Sequence, residues 1–332
     1  MKIAVNELKQ LVGNKFRNQG IDAESAELIA DVLVYADLRG VSSHGVMRVE
    51  HYITRLKAGG IQRNPNFTIH RLNNNHLIFD GNDGFGHVIC KKAMDESIAV
   101  AKEHGSCTTV IQNSSHCGAL SYFIEQATRE DFIAIMFAQT DSAVVPFGGS
   151  EQYFGTNPIA FGFPTMDTPI LLDMATSNVA LGKILYAREK NISVPESWGV
   201  DKNGVPTTNP HDIHSLTPLA GAKGYGLALV VDMLSGILAN AAFGPHITKM
   251  YGDYEQKRKL GQFMYVLDPA VFTDIHTFKK KASQMVDELH NISPATNFEG
   301  VLVPGEPEQL KSLQLQQVGI DLPQAVYDYL VS

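Results

Sequence analysis

The segment VSSHGVMRVEHYITRL (41–56) carries side chains whose types and spacing could bind an anion. On a continuous helix, turning 100° per residue, His44, Arg48, His51 and Arg55 fall on one face and Tyr52 lies on its edge. An arginine fork takes a carboxylate through two parallel N–H···O bonds, and a histidine and a tyrosine hydroxyl add donors. The competing reading is an ordinary solvated face, opposite the apolar stripe Val46, Val49, Ile53 and Leu56.

A second constellation is QNSSHCGALSYF (112–123), a strand end, a small polar loop and a helix start. With Ser114 or Ser115 as the N-cap, His116 falls in the first helical turn. The positive end of the helix dipole disfavours imidazolium there, so the ring stays neutral and can accept a proton. A histidine that only caps or packs at a sheet edge is the alternative. Cys117 next to it is a poor nucleophile partner, because sequence neighbours on a helix do not face one another.

Third, LAGAKGYGLALVVDML (219–234) sets Lys223 among Gly221, Gly224 and Gly226 just before a long apolar helix. Glycines let backbone N–H groups approach an anion, and the helix start and the lysine add positive charge, which suits a dinucleotide phosphate. The spacing is neither a P-loop nor G-x-G-x-x-G, and a glycine turn that lets a buried helix pack closely explains it equally. Weaker candidates sit at strand ends. Asp173 in LLDMATS (171–177) could fix a ribose or cap the next segment. FAQTDSAVVPFGG (137–149) delivers Thr140 and Asp141, and PGEPEQ (304–309) brings Glu306 just past a last strand, GVLVPG (300–305).

These groups need elements to hold them. Asp22 caps a helix with its apolar positions at Ala26, Ile29, Ala30, Leu33 and Val34, stopped by Gly40. A second helix runs from about Ser42 to Gly59. Beyond residue 68 short β-rich runs alternate with helices: strands at 76–80, 107–112, 132–139, 158–164, 169–175 and 262–268, and helices at about 87–104, up to 129, 225–240 and 272–290. SWGVDKNGVPTT (197–208) reads as a hairpin turning through a type I′ Asn203-Gly204. Several strand junctions are too short for the crossover that parallel pairing needs. The expectation is a mixed α/β (α+β) fold: a mixed sheet domain over 71–305, and a helical domain over 1–70 completed by 306–332.

Composition narrows the function. The 332 residues are 44% hydrophobic and 19% charged, ample for a large core and unlike a disordered or disulfide-stapled chain. A net charge of −8 argues against nucleic-acid or anionic-membrane partners. The amphipathic start has no signal-peptide core, and Cys90, Cys107 and Cys117 match no metal or disulfide pattern, which together suggest free thiols in a cytoplasmic protein. No H-E-x-x-H or H-x-H pattern supports a metal site.

Five stretches, 36–60, 110–123, 144–164, 173–177 (DMATS) and 220–236 (AGAKGYGLALVVDMLSG), resemble the type 2 malate/lactate dehydrogenase family, whose members use nicotinamide cofactors without a Rossmann fingerprint. The SWGVDKNGVPTTNP, MYGDYEQKRKLGQF (250–263) and PGEPEQ stretches are most similar to the branch that oxidises a ureido-substituted 2-hydroxy acid of allantoin breakdown. The resemblance implies His116 as proton acceptor and Arg48 on the substrate carboxylate, with His44 and Tyr52 nearby. It makes Arg258 a further substrate contact, and puts the cofactor on Thr140, Asp173-Met174-Ala175, Lys223 and Gly305-Glu306-Pro307. It also implies a homodimer with the site between subunits. Asp141 could hold His116 or accept from ureido N–H groups. A carboxylate at Glu306 would favour NAD over NADP, since it suits ribose hydroxyls and repels a 2′-phosphate. A helix-terminal His116 implies a rate that falls below a pKa near neutrality. Left open are the same chemistry on malate, lactate or sulfolactate, an imino-acid reductase, a metal-dependent hydrolase and a non-catalytic nucleotide sensor.

Overall fold

The amphipathic start of the chain forms two helices, Val5–Arg17 and Ala23–Leu38, in the computed structural model, which describes residues 1–332. Asp22 caps the second, its carboxylate accepting from Ser25 N–H at 2.9 Å. Leu8, Val12, Phe16, Ile29 and Leu33 are wholly buried between the two helices and their neighbours. The far end of the chain closes onto this unit. Lys2–Ile3 pairs antiparallel with Ile320–Asp321, and Leu330 of the last helix, Gln324–Val331, joins the same core.

The middle of the chain builds a seven-stranded mixed sheet. Its spatial order is Thr68–Arg71, His76–Asp80, Ser106–Ser114, Leu260–Leu267, Ile133–Ala138, Ile159–Phe163, Ile170–Met174. One pair is parallel, His76–Asp80 with Ser106–Ser114, and the helix Gly86–His104 joins them, the crossover that parallel pairing requires. Every other neighbour is antiparallel. Apolar residues of Gly86–His104 and Ser121–Thr128 (Ile89, Met94, Phe123, Ile124) pack with Phe79, Ile111, Met136 and Met264 of the strands into the largest core. Truncating one such aromatic, Phe123→Ala, removes about 3–5 kcal/mol. A third, smaller core gathers Val144, Phe154, Ile184, Ile213 and Leu216.

Four local expectations change. The 41–56 segment is not one helix: two 3-10 turns, Ser42–His44 and Val46–Arg48, precede a helix at Val49–Ala58. Gly45 is the break. Its backbone is extended, and a Cβ on it would sit 2.1 Å from Asp37 Oδ1, while Asp37 Oδ2 takes the Val46 N–H at 2.8 Å. The 197–208 hairpin forms, with Val200 bridged antiparallel to Pro206 and Asp201 N–H donating to Val205 O at 2.9 Å, and Gly199–Val200 also pairs with Ser215–Leu216. Gly204 has φ 81° but Asn203 is not left-handed, so the turn is not type I′; the Asp201 carboxylate holds it by accepting from Asn203 and Val205 N–H. GVLVPG forms no strand: Leu171 N–H donates to Pro304 O at 3.1 Å, and Gly305, at φ 88°, starts the helix Glu306–Val318. The helix after His116 begins only at Ser121.

Candidate active site

A cavity of about 700 Å³ opens between the helical unit and the sheet. That volume lies well within the range of about 300–1,000 Å³ typical of small-molecule sites. His44, Arg48, His116 and Arg258 line it, as do Thr140, Asp141 and Asp173-Met174-Ala175, and so do Gly305 and Pro307. Tyr52, Lys223 and Glu306 are not part of its wall.

His116 lies in the loop between Ser106–Ser114 and Ser121–Thr128, so a helix terminus does not keep it neutral. Burial does: it drives the imidazole well below its ordinary pKa, helped by His44, Arg48, His87 and Arg258 around it. His116 Nδ1 is 2.7 Å from the Tyr52 hydroxyl and 3.3 Å from Gly118 N–H. Tyr52 is buried behind it, on the helix Val49–Ala58. His44 stacks on His116 at 5.4 Å, and burial together with Arg48 pushes its pKa down to about 4. Ser115 does cap a helix, but the preceding one: its Oγ accepts from Gly86 N–H at 2.8 Å.

The 3-10 turn aims Arg48 at the cavity. Its Nε donates to Ser43 O at 2.6 Å and its Nη1 to Tyr251 Oη and, at 3.8 Å, to Met250 Sδ. No carboxylate pairs with it. Arg258 is buried and ion-paired to Asp141, whose other oxygen accepts from Met250 N–H at 3.3 Å. Asp141 therefore holds Arg258, not His116. His51 and Arg55, expected on the same face as Arg48, turn away from the cavity toward Tyr251, Tyr254 and the loop that carries them.

The wall fits a dinucleotide in part. Thr140 Oγ accepts from Thr156 N–H at 2.9 Å, and Gly155 packs so closely that a Cβ would lie 2.0 Å from that hydroxyl. Gly305 presses on Leu171, where a Cβ would meet the Leu171 carbonyl at 2.7 Å. The Gln139 amide is buried against Gly236 and has no hydrogen-bond partner on either atom. Asp173 accepts from Ser121 N–H at 2.7 Å and so caps the helix Ser121–Thr128 from the neighbouring strand. Glu306 is already engaged, accepting from Val303 N–H at 3.0 Å and from His290 at 2.8 Å. Both contacts fall on Oε2, so Oε1 stays open, although Glu306 itself is not part of the cavity wall. Lys223 is exposed at the start of Ala222–Val231, where Gly224 packs against the turn, a Cβ there meeting the Leu219 carbonyl at 2.2 Å. Sequence reasoning missed Tyr251, which belongs to no local pattern, and His87, wholly buried edge-on to Tyr52 at 4.9 Å with both ring nitrogens unpaired.

The malate/L-lactate dehydrogenase family matches residues 3–331. The chain is 43% identical over 333 residues to a ureidoglycolate dehydrogenase (NAD(+)) of Escherichia coli K12, covering 100% of this chain and 95% of the relative. It is 38% identical over 324 residues to an L-sulfolactate dehydrogenase of Methanocaldococcus jannaschii, covering 97% and 93%. The solved structure of sulfolactate dehydrogenase from that organism superposes with a TM-score of 0.94 at 37% identity, covering 99% of this chain and 95% of that one. This chain belongs to the malate/L-lactate dehydrogenase family and is an oxidoreductase. No helix is long and apolar enough to cross a membrane.

Proposed function

We propose that the protein oxidises (S)-ureidoglycolate to oxalurate with NAD, a step of allantoin breakdown in the cytoplasm. The observation that carries this reading is the union, in one cavity, of a half-buried imidazole at His116, held below its ordinary pKa, and a guanidinium at Arg48 that no carboxylate occupies. Arg48 holds the substrate carboxylate and fixes the orientation of the hydroxyl carbon. His116 takes the hydroxyl proton on Nε2, which requires the tautomer that carries its other proton on Nδ1, 2.7 Å from Tyr52 Oη. A bound nicotinamide cofactor would supply the hydride acceptor, and the hydroxyl carbon would become a carbonyl as its proton passes to His116. Thr140, Asp173-Met174-Ala175, Gly305 and Pro307 are the wall residues for that cofactor. NAD as the oxidant follows the relative named for it.

Asp141 and Arg258 support the ureido tail. The pair presents an acceptor beside a donor, matching ureido N–H and C=O groups, whereas a second carboxylate would face the Asp141 anion. Sulfolactate or malate is the second reading, favoured by two arginines in one cavity and by the similarity to sulfolactate dehydrogenase. We also propose a homodimer. Leu227, Val230, Met233 and Ile237 leave 40–49% of their surface exposed along one face of the helix that begins with Lys223, so a second copy packed there would carry Lys223 toward its neighbour's cavity. The domain at 71–305 holds the cofactor and the helical unit of 1–70 with 306–332 closes the substrate side.

The test is NAD reduction on freshly prepared ureidoglycolate, beside malate, lactate and sulfolactate with NAD or NADP, and a cyclic imino acid with NADPH. A kcat/KM for ureidoglycolate at least tenfold above the other hydroxy acids supports the reading. A preference for a dianion overturns it. Activity abolished by exhaustive chelation would favour the hydrolase reading, and NADH binding without turnover a sensor.

A further inference from the structure

Arg55 has no role in the reaction as derived so far, yet it is the largest side chain in the molecule with less than 2% exposure. It is not paired with a carboxylate. Instead its guanidinium is ringed by backbone carbonyls of one loop. Nη1 donates to Asp253 O at 2.9 Å and to Gln256 O at 2.7 Å, and Nη2 donates to Lys249 O at 3.0 Å and to Met250 O at 2.9 Å. The Tyr254 ring covers the cation at 5.4 Å. The loop thus wraps a guanidinium much as carbonyls wrap a metal ion. A lysine, with one nitrogen, cannot bridge four acceptors set in two pairs.

Substrate-side groups hang on that loop. Met250 and Tyr251 contact Arg48, Met250 N–H donates to Asp141, and Arg258 at the loop's end donates to Thr248 O at 3.1 Å. Gly60, at the end of Arg55's helix, seals the seam, since a Cβ there would lie 2.3 Å from Tyr254 O. His116 makes no hydrogen bond to the loop.

We propose that Arg55 is a positioning residue that clasps the 249–256 loop and thereby presets Arg48 and Asp141 for the acid substrate. The role rests on the reading of the cavity as a hydroxy-acid site. Breaking the clasp disorders the substrate side and leaves proton acceptance at His116 intact. The variants are Arg55→Lys, Arg55→Ala and Gly60→Ala, the last loosening the same seam with the guanidinium retained, its Cβ meeting Tyr254 O at 2.3 Å and Arg55 Cγ at 2.9 Å.

Each variant is expected to raise the hydroxy-acid KM at least tenfold while kcat stays within about threefold, with an unchanged acid limb in the pH profile and an NADH dissociation constant within about twofold. Trypsin should nick the loop at Lys249, Lys257 or Lys259 at least tenfold faster than in the parent. Millimolar guanidinium should partly restore the KM of Arg55→Ala and not that of Gly60→Ala. A parental KM, a parental cleavage rate, or kcat and KM changing in proportion to lost thermal stability overturns the proposal. If the parent oxidises no hydroxy acid, the functional reading fails, while loop cleavage and its rescue by guanidinium still report on the clasp alone.

Discussion

Tyr52→Phe deletes one oxygen from a side chain that does not line the cavity, so its effect on turnover isolates the control of His116. The hydroxyl lies 2.7 Å from Nδ1. In the resting ring this is a neutral hydrogen bond, worth about 0.5–1.5 kcal/mol; once His116 carries the second proton it is charge-assisted, worth about 1.5–3 kcal/mol. The difference, on the order of 1–1.5 kcal/mol, acts only as the proton arrives and corresponds to roughly five- to twelvefold in kcat. A second effect adds to it. Without Tyr52 Oη, the remaining partner of Nδ1 is Gly118 N–H at 3.3 Å, which can only donate and so favours the tautomer with its proton on Nε2, the form that cannot accept from substrate. The combined loss should therefore lie between about tenfold and a hundredfold in kcat, with KM within about twofold. Steady-state NAD reduction at saturating cofactor measures both, and a double-variant cycle with His116→Ala separates mechanism from general damage. With the base gone, Tyr52→Phe should add almost nothing. A parental kcat in Tyr52→Phe, or full additivity in the cycle, would refute the assignment of Tyr52 as the partner that fixes the proton on Nδ1.

Replacing Arg48 with lysine keeps the charge but loses the fork, and should raise KM at least tenfold, with kcat also reduced. Asp141→Asn removes the anion beside Arg258 and should shift the kcat/KM ratio of malate to ureidoglycolate upward by about tenfold or more, as read in paired progress curves. Because burial holds His116 well below its ordinary pKa, kcat/KM for oxidation should stay level from pH 8 to about 6 rather than fall near neutrality; an acid limb at 6.5–7 would show that burial does not control the base. Asp37, buried beneath Gly45, has its carboxyl pushed up to about 7. A raised acid pKa means its stabilising contribution is full below the unfolded value near 3.8 and is lost as pH rises toward 7. Asp37→Asn, which keeps an oxygen for Val46 N–H, should be more stable than the parent at pH 8 by up to about 4 kcal/mol and nearly level with it at pH 4, as measured by urea unfolding.

How far the sequence spoke depended on the range of the physics involved. Periodicity and caps are local, so the Asp22 cap, the strand runs and the crossover helix were legible, as were Arg48, His116, Thr140 and Asp141, which strand ends and turns deliver to one cavity. What failed was decided by contacts distant in sequence. Periodicity alone carries a helix through residues 41–48, but the carboxylate of Asp37 claims the Val46 N–H and fills the space where a side chain at Gly45 would go. Ser115 does not cap the helix that follows it: the donor it serves is Gly86, brought alongside by the parallel strand pair, so the helix after His116 starts later and the reason for a neutral imidazole moves from a dipole to burial. Glu306 and Asp173 stand alone at strand ends in the sequence, because His290 and Ser121, which meet their carboxylates, come from other segments. The same logic explains Arg55. Spacing placed it with the anion-binding residues, and its charge does meet oxygen atoms, but they are four main-chain carbonyls of a loop some two hundred residues away, a partner that no helical wheel can display. Side-chain type and spacing thus identified which groups could do chemistry, while tertiary hydrogen bonding decided which of them face the reacting carbon and which hold the others in place.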